Sequence, residues 1–135
     1  MTVHSDIRVS IQTDADILTA RQKGRELAAA RGFTRTDQTL IATAISEIAR
    51  NIVEYAQHGE MTLSPVDSQG RSGIVIVAQD EGPGITDIEL AMNEGYSTAK
   101  SLGMGLPGTR RLMDEFDLKS IPGEGVTVTM KKWRR

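Results

Sequence analysis

The chain has 135 residues, 39% hydrophobic and 25% charged, enough apolar content for one domain with its own core. With 0 Cys it holds neither a disulfide framework nor a thiolate metal site, and that composition leans towards a cytoplasmic protein. The net charge of -2 provides no global attraction for nucleic acid.

Met1 to Ser10 lacks the apolar stretch of a secretory leader, and Ile74 to Ala78 is too short to span a bilayer. Neither a membrane nor a nucleic acid is therefore expected as a partner. Only 4% of the chain is aromatic, so the core must be aliphatic, and Tyr55, Tyr96 and Trp133 are too dispersed for a base-stacking platform. The basic residues Lys131, Lys132, Arg134 and Arg135 read as a solvated end.

Asp6 to Thr13 alternates Ile7, Val9 and Ile11 with polar neighbours, the pattern of a half-buried strand. Asp14 or Asp16 is suited to cap a helix to about Arg31, where Gly32 stops it. Thr36 or Asp37 caps a second, longer helix ending near Gly59. Glu60 to Val66 reads as a strand, Asp67 to Gly70 as a turn, and Gly73 to Gln79 as a strand apolar on both faces. Thr86 opens a short helix to about Glu94, and Gly95 to Gly108 reads as a loop, followed by a helix to about Phe116. Phe116 to Ile121 and Gly125 to Trp133 form a closing hairpin at Pro122-Gly123. The whole is expected as one domain over 1–135, with helices on one face of a mixed sheet.

The second helix carries the first chemical signature. Leu40, Ile41, Ala44, Ile45, Ile48, Ala49, Ile52 and Ala56 fill a broad apolar arc. Glu47 and Asn51 stand one turn apart just beyond its edge, in position to look into a cleft over the sheet. An Asn carbonyl suits magnesium, which takes oxygen ligands, and a carboxylate there could accept a proton from an attacking hydroxyl. An ordinary helix with solvated Glu and Asn is the plainer reading, and Arg50 and Glu54 read as solvent-side charges.

Glycine segments supply the rest. Asp80 follows the buried strand at once, with Gly82 and Gly84 allowing close backbone approach, and its carboxylate is placed to accept from an adenine amine. Gly103-Met104-Gly105-Leu106-Pro107-Gly108 formally matches a dinucleotide fingerprint. No strand feeds into it, and no Gly-Lys-Ser/Thr of a phosphate-binding loop appears. Glycines before a helix still offer backbone amides to an anion. Lys100, in the preceding loop, has the charge to neutralise a γ-phosphate. Gly123-Glu124-Gly125 is explained as a turn, and His4 and His58 have no nucleophile or ligand set beside them.

Taken in order, Glu47-x-x-x-Asn51, Asp80-x-Gly82-x-Gly84, Gly103-x-Gly105 and Gly123-x-Gly125 resemble the GHKL ATPase superfamily. Within it, Ala44 to Ile52, Asp80 to Ile85, Gly103 to Gly108 and Arg111 to Phe116 are similar to small bacterial switch kinases, the RsbT-type serine/threonine kinases of the stressosome. The resemblance implies a two-layer α/β sandwich of the Bergerat type, an α+β fold whose mixed sheet is mostly antiparallel, binding ATP and Mg2+. It implies Glu47 as general base, Asn51 as magnesium ligand and Asp80 as the adenine-binding acid. It also places Gly82, Gly84, Ile85, Gly103, Met104, Gly105 and Leu106 around the nucleotide.

Two positions depart from the pattern. Members often place a Thr where Val126 stands, with Thr127 next. Adjacent strand residues face opposite ways, so Thr127 is not a simple replacement, though it stays in the candidate set. Ser101 replaces a common glycine before the phosphate loop. The implied partners are STAS-domain scaffold proteins as substrates and, after release, a PP2C-type phosphatase. Two alternatives are an anti-sigma factor kinase that holds a sigma factor directly and a non-catalytic ATP-binding interaction module.

Overall fold

The computed structural model describes residues 6–82, 105–121 and 123–134. Strand β1 (Ile7–Ile11) leads into helix α1 (Asp14–Ala30) and helix α2 (Arg35–Asn51). Strands β2 (Gly59–Ser68) and β3 (Arg71–Asp80) follow, then helix α3 (Gly105–Leu112) and strands β4 (Glu115–Ile121) and β5 (Gly125–Trp133).

The sheet order is β1-β2-β3-β5-β4, and every described pairing is antiparallel. The mixed component expected from sequence is not found among the described strands, because hairpins join β2 to β3 and β4 to β5. Along β3, Ile74, Ile76 and Ala78 are buried beneath the helices, whereas Val75 and Val77 are only half-buried. The expectation that this strand is buried on both faces therefore fails. Its two flanking strands cover its edges, but the helices cover one face.

Both helix caps lie one to three residues earlier than the sequence suggested. Thr13, not Asp14 or Asp16, is the N-cap of α1. Asp16 instead turns its carboxylate back to accept from the amides of Gln12 at 2.8 Å and Thr13 at 3.0 Å. These amide donors, first Gln12 and then Thr13, hold the Asp16 carboxyl below its ordinary 3.8. A lowered folded value means that the ionised form contributes stability above the ordinary value. That contribution is lost as pH falls through the folded value. The urea-unfolding difference between the native chain and Asp16→Ala is therefore expected to be largest at neutral pH and to shrink below pH 3.8. A difference that grows in acid would contradict this account.

For α2 the cap is Thr34, whose hydroxyl accepts from the amide of Asp37 at 3.1 Å, rather than Thr36 or Asp37. The helix then packs Ile41, Ala44, Ile45, Ile48 and Ala49 against the sheet and α1. Burying each of its isoleucines contributes roughly 1.5–3 kcal/mol. The regular helix ends at Asn51, not near Gly59, and continues as a π-helical turn over Ile52–Ala56. Gln57, at φ 72°, stops it in the left-handed region. Such widened turns relax the helical hydrogen-bond ladder and recur at functional sites.

Helix α3 also differs from expectation. It begins at Gly105 and ends at Leu112, so Leu106, Pro107 and Gly108 are helical rather than loop, and Phe116 belongs to β4. Pro107 is tolerated because it lies in the first turn, where its missing amide has no intrahelical acceptor to lose.

The C-terminal basic cluster is not a uniformly solvated end. Lys132 is buried and its Nζ donates to the carbonyl of Leu112 at 2.8 Å, placing a cation on the C-terminus of α3. Trp133 donates through Nε1 to Glu115 at 2.8 Å, beneath the Arg71 guanidinium 4.6 Å from the ring centroid. At this same end of the sheet, Arg31 closes α1 onto the β2–β3 hairpin through Asp67 at 2.6 Å and the carbonyl of Val66 at 3.0 Å.

Candidate functional site

Helix α2 delivers Glu47 and Asn51 to its own C-terminal turns, and β3 delivers Asp80 to its C-terminal end. The two ends meet through the π-helical turn. A Cβ on Gly82 would lie 2.6 Å from Ala56 Cβ and 2.8 Å from Ala56 Cα, so the turn after β3 rests directly on the turn after Asn51. Only glycine permits that approach.

Glu47 is 6% exposed, which excludes the solvated helical glutamate allowed by the sequence. Its Oε1 accepts from Arg50 Nη1 at 3.0 Å. Its Oε2 is buried with no hydrogen-bond partner among the described residues. A buried carboxylate oxygen without a donor is costly, and such atoms concentrate where a ligand or reacting group completes the set. Asn51 is half-buried one turn further on. Arg50 thus keeps a partly exposed side chain but is engaged with Glu47 rather than being a free solvent-side charge, and Glu54 is exposed as expected. Arg50 was missed because a charge beside an apolar arc has the same helical position whether or not its acidic neighbour is buried.

Asp80 is anchored from two directions. Its Oδ1 accepts from the amide of Gly82 at 3.0 Å and from the amide of Val126 at 3.2 Å. Its second oxygen has no partner among the described residues, so the carboxylate is oriented while one acceptor remains. The Val126 side chain packs against the core while its amide serves Asp80. The departure from Thr at this position therefore leaves the backbone contact intact.

Gly125 does more than complete a turn. At φ 134°, a Cβ there would run into the carbonyl oxygen of Asp80 and lie 3.0 Å from its carbonyl carbon. The last strand can therefore cross the end of β3 at this point. The sequence singled out Gly125 within Gly123-x-Gly125 but explained it as a turn; its approach to Asp80 follows only from the pairing of Ile121 with Gly125 and of β5 with β3.

Thr127 is not brought to this corner. It pairs with Gln79, on the sheet face opposite Ala78 and Val128, which face the helices. Leu106 packs against the core from the first turn of α3, and α3 in turn packs on α2. Gly105 is the first residue of that helix. Gly84, Ile85, Lys100, Ser101, Gly103 and Met104 lie outside the described residues, as does the helix expected after Thr86. The residues present fit a nucleotide with a hard cation. An orphaned buried carboxylate oxygen and a side-chain amide share one helix end, beside an oriented carboxylate with glycine backbone around it.

A family model described as a histidine kinase-like ATPase domain matches residues 11–132, and the chain belongs to this family. Among its relatives is serine/threonine-protein kinase RsbT of Bacillus subtilis, 50% identical over 127 residues, 94% of this chain and 96% of that one. An anti-sigma F factor of Thermoanaerobacter is 34% identical over 99 residues, 69% of this chain and 68% of its own. The fold also matches a crystal structure of the RsbU and RsbW domains of a Mycobacterium tuberculosis protein, with a TM-score of 0.67 at 20% identity. That match covers 99% of this chain and 34% of the longer one.

Proposed function

We propose that this chain is an ATP-dependent protein serine/threonine kinase of the partner-switching type. Its substrates are STAS-domain proteins, and after their phosphorylation it is released to activate a PP2C-type phosphatase. The single observation that carries the chemical part is Glu47 Oε2, a buried acceptor without a donor at the end of α2. The identity to RsbT over nearly the full length of both chains supports the kinase reading over a direct sigma-factor clamp, whose relatives match less of the chain at lower identity.

In this reading Glu47 accepts the proton of the incoming Ser or Thr hydroxyl through Oε2. Asn51 offers its carbonyl oxygen as a cation ligand, and Asp80, held by the amides of Gly82 and Val126, orients the base of the nucleotide. ATP supplies the transferable phosphoryl group, and Mg2+ offsets charge on its oxygens. Lys100 and the glycines at 103 and 105 belong to the phosphate side by sequence.

The test is labelled-phosphate transfer from γ-labelled ATP to purified STAS-domain proteins, with a sigma factor offered in parallel. Label on a Ser or Thr of the STAS protein, followed by co-purification of the chain with the phosphatase, is the expected result. A stable sigma-factor complex, or nucleotide binding without transfer, would replace the proposal with one of its alternatives.

A further inference from the structure

We infer that Arg50 is a positioning residue for Glu47: its guanidinium fixes one carboxylate oxygen and thereby turns the other, as acceptor, towards the reacting hydroxyl. The inference rests on the reading of Glu47 as general base. It adds a residue that neither the motif nor the apolar arc singles out.

The geometry separates this pair from an ordinary surface ion pair. Exposed partners three residues apart on a helix contribute only about 0.2–0.5 kcal/mol, and both remain free to hydrate. Here the two ends are unequal: the Glu47 side chain is 7% exposed and the Arg50 side chain 38%. The carboxylate has left water, while the guanidinium straddles the rim with its head still partly hydrated. A buried carboxylate depends on its partner, because an unpaired buried charge is expensive.

The contact is also one-sided. Arg50 Nη1 meets Oε1 at 3.0 Å, and nothing among the described residues meets Oε2. A fork-to-fork contact would have consumed both oxygens. A single contact fixes the carboxylate and leaves one acceptor unspent. Without Arg50, Glu47 retains its position on the helix but loses the contact that orients its carboxylate. Misplacing a catalytic group by about an ångström costs on the order of 10²-fold in rate.

The test is initial-rate kinetics with γ-labelled ATP and a STAS-domain protein that the native chain labels, comparing Arg50→Gln, Arg50→Met, Arg50→Lys and Glu47→Gln. Arg50→Met retains an unbranched stem for packing should the Gln variant fold poorly. The expected result for Arg50→Gln and Arg50→Met is a kcat lowered about 10- to 100-fold, with KM for ATP within about twofold of native. Arg50→Lys is expected to recover most of the lost rate, since an ammonium can still hold Oε1.

Three results would overturn the assignment. One is an Arg50→Gln chain with native kcat while Glu47→Gln is inactive, which leaves the base reading standing. Another is loss of kcat accompanied by a raised KM for ATP and not recovered in Arg50→Lys, which marks a structural residue. The third is native kcat in Glu47→Gln, which removes the base itself.

Discussion

Glu47→Gln is expected to lose about 10²- to 10⁴-fold in phosphoryl transfer, the usual contribution of a general base, while the fold stays intact. The amide is isosteric with the carboxylate, and its oxygen can still accept from Arg50, so shape and one hydrogen bond survive. The unsatisfied Oε2 loses its negative charge, and Arg50 is sufficiently exposed to hydrate. Stability is therefore expected to change by no more than about 1 kcal/mol in either direction. Transfer measured with labelled ATP alongside urea unfolding checks both parts at once. A chain that keeps transfer sinks the catalytic role. One that unfolds instead shows that Glu47 is mainly a structural member of the core.

Gly125→Ala is expected to be the most damaging small substitution for the fold and the pocket together. The backbone stands at φ 134°, a region that an L side chain rarely adopts, and the added methyl meets the carbonyl of Asp80 rather than a side chain able to turn away. Strain and overpacking combine to on the order of 3 kcal/mol. That corresponds to a melting temperature lowered by roughly 10 °C. Because Val126 donates its amide to Asp80, moving the strand also releases the carboxylate, and nucleotide affinity should fall with stability.

Gly70→Ala is the control. Gly70 lies at φ 77° in the β2–β3 turn with no atom near its would-be Cβ, so only the conformational cost of about 1–2 kcal/mol remains, and nucleotide affinity should be unchanged. Equal losses at the two glycines would show that backbone torsion alone matters and that the contact with Asp80 does not.

Much of this molecule is legible in one dimension. Alternating Ile7, Val9 and Ile11 gave β1, and the 3.6-residue spacing of Ile41, Ala44, Ile45 and Ile48 gave the inward face of α2. Element ends were less legible. Thr13 and Thr34 outcompeted nearby Asp and Thr residues as caps, because local hydrogen-bond geometry decides among several suitable side chains. The start of α3 at Gly105 was hidden because glycines and a proline suggest a loop, although Pro107 is compatible with a first turn.

Lys132 and Arg50 show the same limit from the side-chain end. Both read as solvent charges by composition. Yet one is buried on the carbonyl of Leu112, and the other holds a buried carboxylate.

The sequence by itself determined which residue types were available and in what order: a helical carboxylate and amide one turn apart, an acid ending a β-strand, and glycines where backbone must come close. Those features are local, set by spacing along one helix or strand. Tertiary structure decided what each one faces. Val126 reaches Asp80 across 46 positions, and the Gly82 turn rests on Ala56. Glu47 is buried with a single oxygen engaged, while Thr127 is carried to the other face of the sheet. The physical reason is that periodicity assigns a side chain to a face, whereas burial and pairing depend on which distant segment comes to cover that face.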